Sequence, residues 1–140
     1  MDLLARREHS VGELRAKLRA KGFADEQAVE EELDRLCAEG LLSDARFAEA
    51  YVHAHRLRGQ GPLRIVADLR ERAVPAEVIE TVVDPRDEAW CGLAQAARCK
   101  RFGSEVPQGF NERAQQARFL RYRGFTEGQV RSALRDGDDL

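Results

Sequence analysis

The segments KLRAKGF, residues 17–23, and FLRYRGF, residues 119–125, share one ending: Leu, a basic residue, any residue, a second basic residue, Gly and Phe. If the Gly is the left-handed residue just after a helix, the Leu side chain lies where it touches the residue after the Gly. Leu36, Gly40 and Leu41 repeat the apolar part of this pattern. Each segment therefore predicts the C-terminal end of a helix.

The ending recurs because the chain contains an internal repeat. Shifting the sequence by 51 residues, twice, aligns Leu18 with Leu69 and Leu120. Self-similarity at such a period is typical of tandem helical units. Ala73 stands where the other two repeats have Gly, and a left-handed Ala there would cost about 1 to 2 kcal/mol. The alternative is that the helix ends differently, with Pro75 enforcing the stop.

Helices explain the apolar pattern, because apolar residues recur at steps of three and four and strand-like alternation is absent. A first short helix is expected to end near His9. Capping boxes, a Ser cap and prolines predict the later helix starts: Ser10 with Glu13, Ser43, Pro62, Pro75, Asp84-Pro85 and Thr126 with Gln129. We therefore predict an all-α fold of three tandem three-helix repeats, over residues 1–42, 43–84 and 85–140, the last with a short acidic tail.

Cysteine and aromatic side chains are expected inside this fold. The cysteines have no CxxC spacing, so they predict neither a disulfide framework nor a zinc site, and we interpret Cys37, Cys91 and Cys99 as buried apolar thiols. Trp90, Phe47 and Tyr51 are expected in the core. Gln116 aligns with Leu14 and Ile65, which predicts that the third repeat's helix is rolled toward Phe119.

Charge is sorted along the chain although the net charge is only -2 at pH 7. Residues 13–23 carry four basic residues and one acidic residue, whereas residues 24–34 carry six acidic residues and no basic residue. This balance argues against a simple DNA-binding domain, since such domains are usually strongly basic. No apolar run approaches the ~18 residues that a spanning helix needs. We expect a cytoplasmic protein without a membrane segment.

Basic residues recur at two aligned positions of all three repeats: Arg19, Lys21, Arg70, Arg72, Arg121 and Arg123. One interpretation is that they complement helix dipoles at the C-terminal ends, for ~0.3 to 1 kcal/mol each. The other is that stacked repeats set them in a row that suits a repeating polyanion or a repeating acidic protein surface. The sequence supports either interpretation.

Further basic residues are candidates in the second interpretation. Arg56 and Arg58 would extend the row or form a solvated face, and Arg64, Arg113 and Arg118 are weaker candidates. The planar fork of Arg pairs bidentately with phosphate or carboxylate. These residues are therefore the predicted binding surface.

Catalysis is not indicated by any spacing. His53 and His55 lie about 200° apart around a predicted helix, so they cannot face one metal together. No Ser/His/Asp or Cys/His set and no Gly-rich phosphate loop is present, so we expect no catalytic residue, metal or cofactor. Sequence-specific DNA binding is disfavoured, because the helices end in simple bases and carry few Asn or Gln. A helical-repeat adaptor or a non-specific nucleic-acid-binding protein stays an alternative.

Four segments resemble, in order and spacing, the signature segments of the RecX family of bacterial regulatory proteins. They are LLARREHSVGELRAKLRAKGF, GLLSDARFAEAYVHAHR, GQGPLRIVADLRER and RFLRYRGFTEGQVRSAL, and the resemblance runs from about Leu3 to Leu134. Two features depart from the family pattern: the short segment before Ser10, and Ala73 in place of the usual Gly. Both departures affect local geometry.

The resemblance implies an elongated, curved, all-helical protein that lies in the groove of the RecA filament on single-stranded DNA. It implies a non-enzymatic negative regulator that inhibits filament growth, ATP hydrolysis, strand exchange and coprotease activity. It also implies a function in DNA repair, recombination and the SOS response. We expect a monomer whose partners are the RecA filament and, directly or through it, single-stranded DNA. The six recurring basic residues are the first expected contacts.

Overall fold

The computed structural model describes residues 8–135, which form eight α-helices and no strand. The helices are α1 (Val11–Ala20), α2 (Glu26–Ala38), α3 (Asp44–Leu57), α4 (Pro62–Glu71), α5 (Ala76–Val82), α6 (Ala89–Phe102), α7 (Gly109–Tyr122) and α8 (Glu127–Leu134). The all-α prediction is confirmed. The predicted first helix and the acidic end fall on residues outside this range. None of the described helices is long and apolar enough to cross a membrane.

Side chains cap the helices where the sequence predicts it. The Ser10 hydroxyl accepts from the Glu13 N–H at 2.9 Å, and the Glu13 carboxylate accepts from the Ser10 N–H at 3.3 Å. Thr126 and Gln129 form the same reciprocal pair at the start of α8. The Ser43 hydroxyl accepts from a backbone N–H three residues on, at 3.2 Å. These bonds satisfy N–H groups that have no partner within the helix.

One predicted helix start is wrong. Helix α6 begins at Ala89 and not at Asp84-Pro85. The Asp84 carboxylate accepts from the Arg86 N–H at 3.0 Å, and the Asp87 carboxylate accepts from the Ala89 N–H at 2.9 Å. Asp side chains that bond the backbone two residues on favour turns over helix. The segment therefore forms turns before α6 begins.

Left-handed residues end the helices that carry the recurring ending. Gly22, Gly40 and Gly124 have φ angles of 93°, 75° and 98°. Ala73 is also left-handed, with φ of 61°, and the Val74 N–H reaches back to the Leu69 carbonyl at 3.1 Å. The repeat therefore imposes its helix ending even where Gly is missing, at a cost of about 1 to 2 kcal/mol. The alternative ending enforced by Pro75 is wrong.

The chain forms two compact units. The first comprises Met1–Val52 and Asp68–Val82, and the second comprises His53–Ala67 and Val83–Leu140. Among the described residues, the buried apolar side chains of the first unit include Leu14, Leu33, Leu36, Leu42 and Leu69. Those of the second include Ile65, Trp90, Leu120, Phe125 and Val130. Each unit therefore has an apolar interior of its own.

Gln116 occupies the buried position that Leu14 and Ile65 hold in the other repeats. Its side-chain oxygen accepts a 3.3 Å hydrogen bond from Arg98, whose side chain is also buried. Pairing two polar side chains with each other lowers the cost of burying them. Helix α7 thus buries the same aligned positions as its counterparts, and the predicted roll toward Phe119 is wrong.

The cysteines are less buried than predicted. Cys37 is exposed, and Cys91 and Cys99 are half-buried. Desolvation raises the pKa of the Cys37 thiol, and the carboxylates of Asp44 and Asp34 raise it further. The prediction of buried thiols is therefore wrong for Cys37. The core prediction is confirmed for two of the three aromatic residues, because Trp90 and Phe47 are buried and Tyr51 is half-buried.

Candidate functional site

The first of the two recurring basic positions is exposed in every repeat. Arg121 donates to both carboxylate oxygens of Glu127, at 2.6 and 3.1 Å. Arg19 faces Glu26 at 3.5 Å. Arg70 makes no side-chain hydrogen bond or ion pair with the residues that the structure describes. Two of these three cations therefore already face a carboxylate at the start of the next helix.

Arg72, at the second recurring position, is held by its own surroundings. Its guanidinium carbon lies 4.9 Å from the centre of the Tyr51 ring, a cation–π distance. It donates to the Asp68 carbonyl at 3.2 Å and faces the Glu13 carboxylate at 3.7 Å. Arg72 is therefore half-buried, whereas its counterpart Lys21 is exposed.

Arg123, the third residue at this position, also rests on an aromatic ring. Its guanidinium carbon lies 5.1 Å from the centre of the Phe119 ring, and its Nη1 donates to the Arg58 carbonyl at 3.1 Å. The bond to Arg58 joins the end of α7 to the turn after α3. Arg123 thus connects two segments that are far apart in the sequence.

A cleft of about 440 Å³ in the second compact unit gathers Arg123 with four further cations. The lining residues are Arg56, Leu57, Arg58, Gly59, Leu93, Ala96, Ala97, Lys100, Arg101, Phe119 and Arg123. Within residues 8–135, no Asp or Glu contributes to this lining. We call this feature the basic cleft.

A left-handed glycine shapes one wall of the basic cleft. Gly59, with φ of 80°, follows the end of α3, and the Gln60 N–H donates to the His55 carbonyl at 3.0 Å. A Cβ added at Gly59 would lie 3.6 Å from the Ala97 Cβ, at ordinary contact distance. A positive φ is easily adopted only by Gly, because it has no Cβ. Small residues thus bring the turn after α3 close to α6.

Aromatic rings orient three of the five cations. The guanidinium carbons of Arg56 and Arg101 lie 5.0 Å from the Trp90 ring centre and 5.2 Å from the Phe102 ring centre. Phe102 in turn contacts Phe119 edge-to-face, with the ring centres 5.3 Å apart. Such contacts contribute about 0.5 to 1 kcal/mol each at exposed sites. The cationic groups are therefore held in place before any ligand binds.

Helix dipoles offset only part of the cleft's charge. Arg56 and the pair Lys100 and Arg101 lie in the last turns of α3 and α6, and Arg123 follows α7. Each helix C-terminus is equivalent to roughly half a negative charge. Three such ends offset about 1.5 of the five positive charges, so the cleft keeps a surplus of about 3.5. This surplus favours an anionic ligand.

The structure brings together only part of the predicted surface. Arg56, Arg58 and Arg123 line the basic cleft, whereas Arg64, Arg113 and Arg118 do not. Arg64 lies over the Tyr122 ring with its guanidinium carbon 5.6 Å from the ring centre, Arg113 donates to the Leu134 carbonyl at 3.2 Å, and Arg118 is exposed.

Sequence reasoning missed Lys100 and Arg101. When the sequence is shifted by 51 residues, Lys100 and Arg101 align with Glu49 and Ala50. A search for basic positions that recur in every repeat therefore does not find them. The signal that finds them is their position as two adjacent bases in the last turn of a predicted helix.

Metal ligation has no site in the described part of the chain, where no group of three His, Cys, Asp or Glu side chains lies close enough to hold an ion. His53 is exposed, and the His55 ring forms a hydrogen bond with the Gln60 side chain. The five cations of the basic cleft support the binding of anions.

Family models for the three domains of one protein family match successive parts of the chain. The first, second and third three-helix domains of RecX match residues 1–36, 43–83 and 91–134. The chain belongs to the RecX family. The predicted family is thus confirmed, and so is the predicted all-α class with three three-helix domains.

Curated relatives in the RecX family cover nearly the whole chain. The chain is 45% identical over 137 residues to regulatory protein RecX of Halorhodospira halophila, which covers 98% of this chain and 84% of that protein. It is 43% identical over 141 residues to regulatory protein RecX of Pseudomonas putida, with 99% and 90% covered. These relatives are named as regulatory proteins.

A solved structure shows the same fold at lower sequence identity. The crystal structure of RecX from Lactobacillus salivarius matches with a TM-score of 0.82 and 18% identity, covering 99% of this chain and 92% of that chain. At this identity the likeness concerns the fold alone.

Proposed function

We propose that this protein is a negative regulator of the RecA recombinase that binds the RecA filament on single-stranded DNA. It inhibits filament growth, and with it ATP hydrolysis, strand exchange and coprotease activity, by occupying the filament and without catalysing a reaction. Family membership supports the RecA partner, and the basic cleft is the observation that supports binding by charge. The protein acts as a monomer in the cytoplasm.

The distribution of charge supports a filament over bare DNA as the ligand. Non-specific binding to DNA depends on many phosphate contacts and on local basic charge. This chain has a net charge of -2, and its five cleft cations are confined to one place. Its affinity for DNA alone is therefore low, and contacts with the protein partner supply the rest of the binding.

The experiment is a titration of the steady-state ATPase of RecA on single-stranded DNA, at two salt concentrations. The cleft variant is R58E/K100E, because neither side chain stacks on a ring or forms an ion pair within residues 8–135. The matched control is R86E/R131E, which reverses two exposed cations outside the cleft lining. Binding to the same DNA without RecA is measured in parallel.

We expect inhibition well below one protein per RecA, with weak binding to bare DNA. The cleft variant should need about tenfold more protein for half-inhibition, while the control variant behaves like the unchanged protein. Absence of inhibition by the unchanged protein would contradict the proposal and favour a helical-repeat adaptor. Tight binding to bare DNA would instead favour a non-specific nucleic-acid-binding protein.

A further inference from the structure

We infer that the basic cleft binds an acidic peptide segment that carries one large apolar side chain, and not the backbone or bases of a nucleic acid. The inference deepens the proposed function, on which it rests only for the identity of the partner. The chemistry of the ligand follows from the cleft itself.

Apolar side chains form a large part of the cleft lining. Leu57, Leu93, Ala96, Ala97 and Phe119 lie among the five cations. The volume of about 440 Å³ falls in the range of roughly 300 to 1,000 Å³ that is typical of ligand pockets. A ligand that carries only charge would leave this apolar surface in contact with water. An apolar side chain that covers it gains roughly 25 cal/mol for each Å² removed from water.

Nucleic-acid bases do not match this apolar surface. Single-stranded nucleic acids bind through aromatic faces on which bases stack. Trp90 is only 3% exposed and is covered by Arg56. The Phe119 ring is contacted by Arg123 and by Phe102. The remaining apolar lining is aliphatic, so the cleft suits an aliphatic or aromatic side chain of a peptide.

Carboxylates are the partners that this chain uses elsewhere for its cations. Among the described residues, the arginines outside the cleft that contact Glu carboxylates are Arg15, Arg19, Arg35, Arg46, Arg72 and Arg121. The Arg15 pair is bidentate, with distances of 2.6 and 3.0 Å to Glu30. In the described residues the cleft cations have no carboxylate partner. A ligand must therefore bring the negative charge.

The orientation of the cleft cations also favours a ligand whose carboxylates contact different cations. Arg56 and Arg101 each lie over a ring and make no side-chain hydrogen bond with the described residues, which leaves their N–H edges for bidentate pairing. Arg123 also lies over a ring, but its Nη1 already donates to the Arg58 carbonyl. Arg58 and Lys100 present exposed charges beside them. Acidic residues on either side of one apolar residue can meet both kinds of contact. The arrangement of cations around apolar side chains therefore favours an acidic peptide with one large apolar side chain.

The test measures fluorescence anisotropy of three labelled probes in the absence of RecA. The first is a short peptide rich in Asp and Glu with one central Leu, and the second has Ser in place of the Leu. The third is an oligothymidylate of similar length. The proteins are the unchanged chain, R58E/K100E, the control R86E/R131E, and A96F, which fills the apolar part while keeping all five charges. Circular dichroism and melting establish that each variant is folded.

We expect the Leu peptide to bind at least about tenfold more tightly than the Ser peptide. R58E/K100E should weaken both peptides, A96F should remove the preference for Leu, and the control should bind as the unchanged chain does. Equal binding of the two peptides would overturn the inference, and so would tighter binding of the oligothymidylate. Because RecA is absent, a peptide result stands apart from the ATPase result: loss of inhibition alone would contradict only the proposed function.

Discussion

The backbone N–H of Gly61 donates a 2.7 Å hydrogen bond to the carbonyl oxygen of Arg123. This contact repeats one in the other compact unit, where the Ser10 hydroxyl donates to the Arg72 carbonyl at 2.6 Å across 62 residues. Gly61 and Arg123 have the same separation in sequence. Each donor immediately precedes a helix start, and each acceptor immediately precedes a left-handed residue. One helix start thus contacts the helix end one repeat later.

Substitution of two left-handed glycines measures this contact. A Cβ added at Gly124 would lie 2.4 Å from the Arg64 Cβ and 2.6 Å from its backbone nitrogen. A Cβ added at Gly22 would have no described atom beyond its chain neighbours within 4 Å. G22A should lower the free energy of unfolding by about 1 to 2 kcal/mol, from left-handed strain alone. G124A should cost a further ~1 to 3 kcal/mol from overpacking. Urea denaturation followed by circular dichroism measures both. Equal losses of unfolding free energy in G22A and G124A would show that the neighbours of Gly124 move aside without an energetic cost.

The buried Arg98 predicts a second effect on stability. Its side chain is 1% exposed, and its Nη1 donates to the Glu105 carbonyl at 3.0 Å and to Gln116 at 3.3 Å. Its Nε has no partner among the described residues. Q116L removes an acceptor from a buried cation and should cost about 1.5 to 3 kcal/mol.

The double variant R98M/Q116L tests the cause of that loss. Replacing both polar groups by apolar ones of similar size should recover much of the stability. Melting and urea denaturation of the two single variants and the double variant complete the cycle. If the double variant loses the sum of the single losses, the hydrogen bond between Arg98 and Gln116 is not what stabilises this region.

Acid should open the pair between Arg121 and Glu127. The hydrogen bond from Arg121 lowers the pKa of Glu127 below its ordinary value of about 4.3. Because the pKa of this carboxyl is lower in the folded protein than in the unfolded chain, its pairing stabilises the fold at pH values above the unfolded pKa. That stabilisation is lost as the pH falls through the folded pKa. An NMR titration of the Glu127 carboxyl should therefore give a midpoint below the ordinary value. R121A should raise this midpoint, and an unchanged midpoint would contradict the assigned cause.

Capping rules predicted most helix ends because the two residues of a capping hydrogen bond lie within a few residues of each other in the sequence. Ser10 with Glu13 and Thr126 with Gln129 are separated by three residues. The missed start at Asp84-Pro85 has a local cause too, since a competing turn uses the same cap residues as a helix start. Left-handed Ala73 shows the limit of such rules, because Ser10 bonds the carbonyl just before it from a distant part of the chain.

The amino-acid sequence by itself determined the all-α class and most helix ends, since periodicity and capping act over short distances. It also indicated the internal repeat and, through four segments in matching order and spacing, the family. Only the tertiary structure decided which cations form a site. Arg72 is occupied by Tyr51 and Glu13, whereas Arg58 and Lys100, far apart in sequence, line one cleft. The physical reason is that a cation's availability depends on which neighbours reach it, and folding brings those neighbours from other segments.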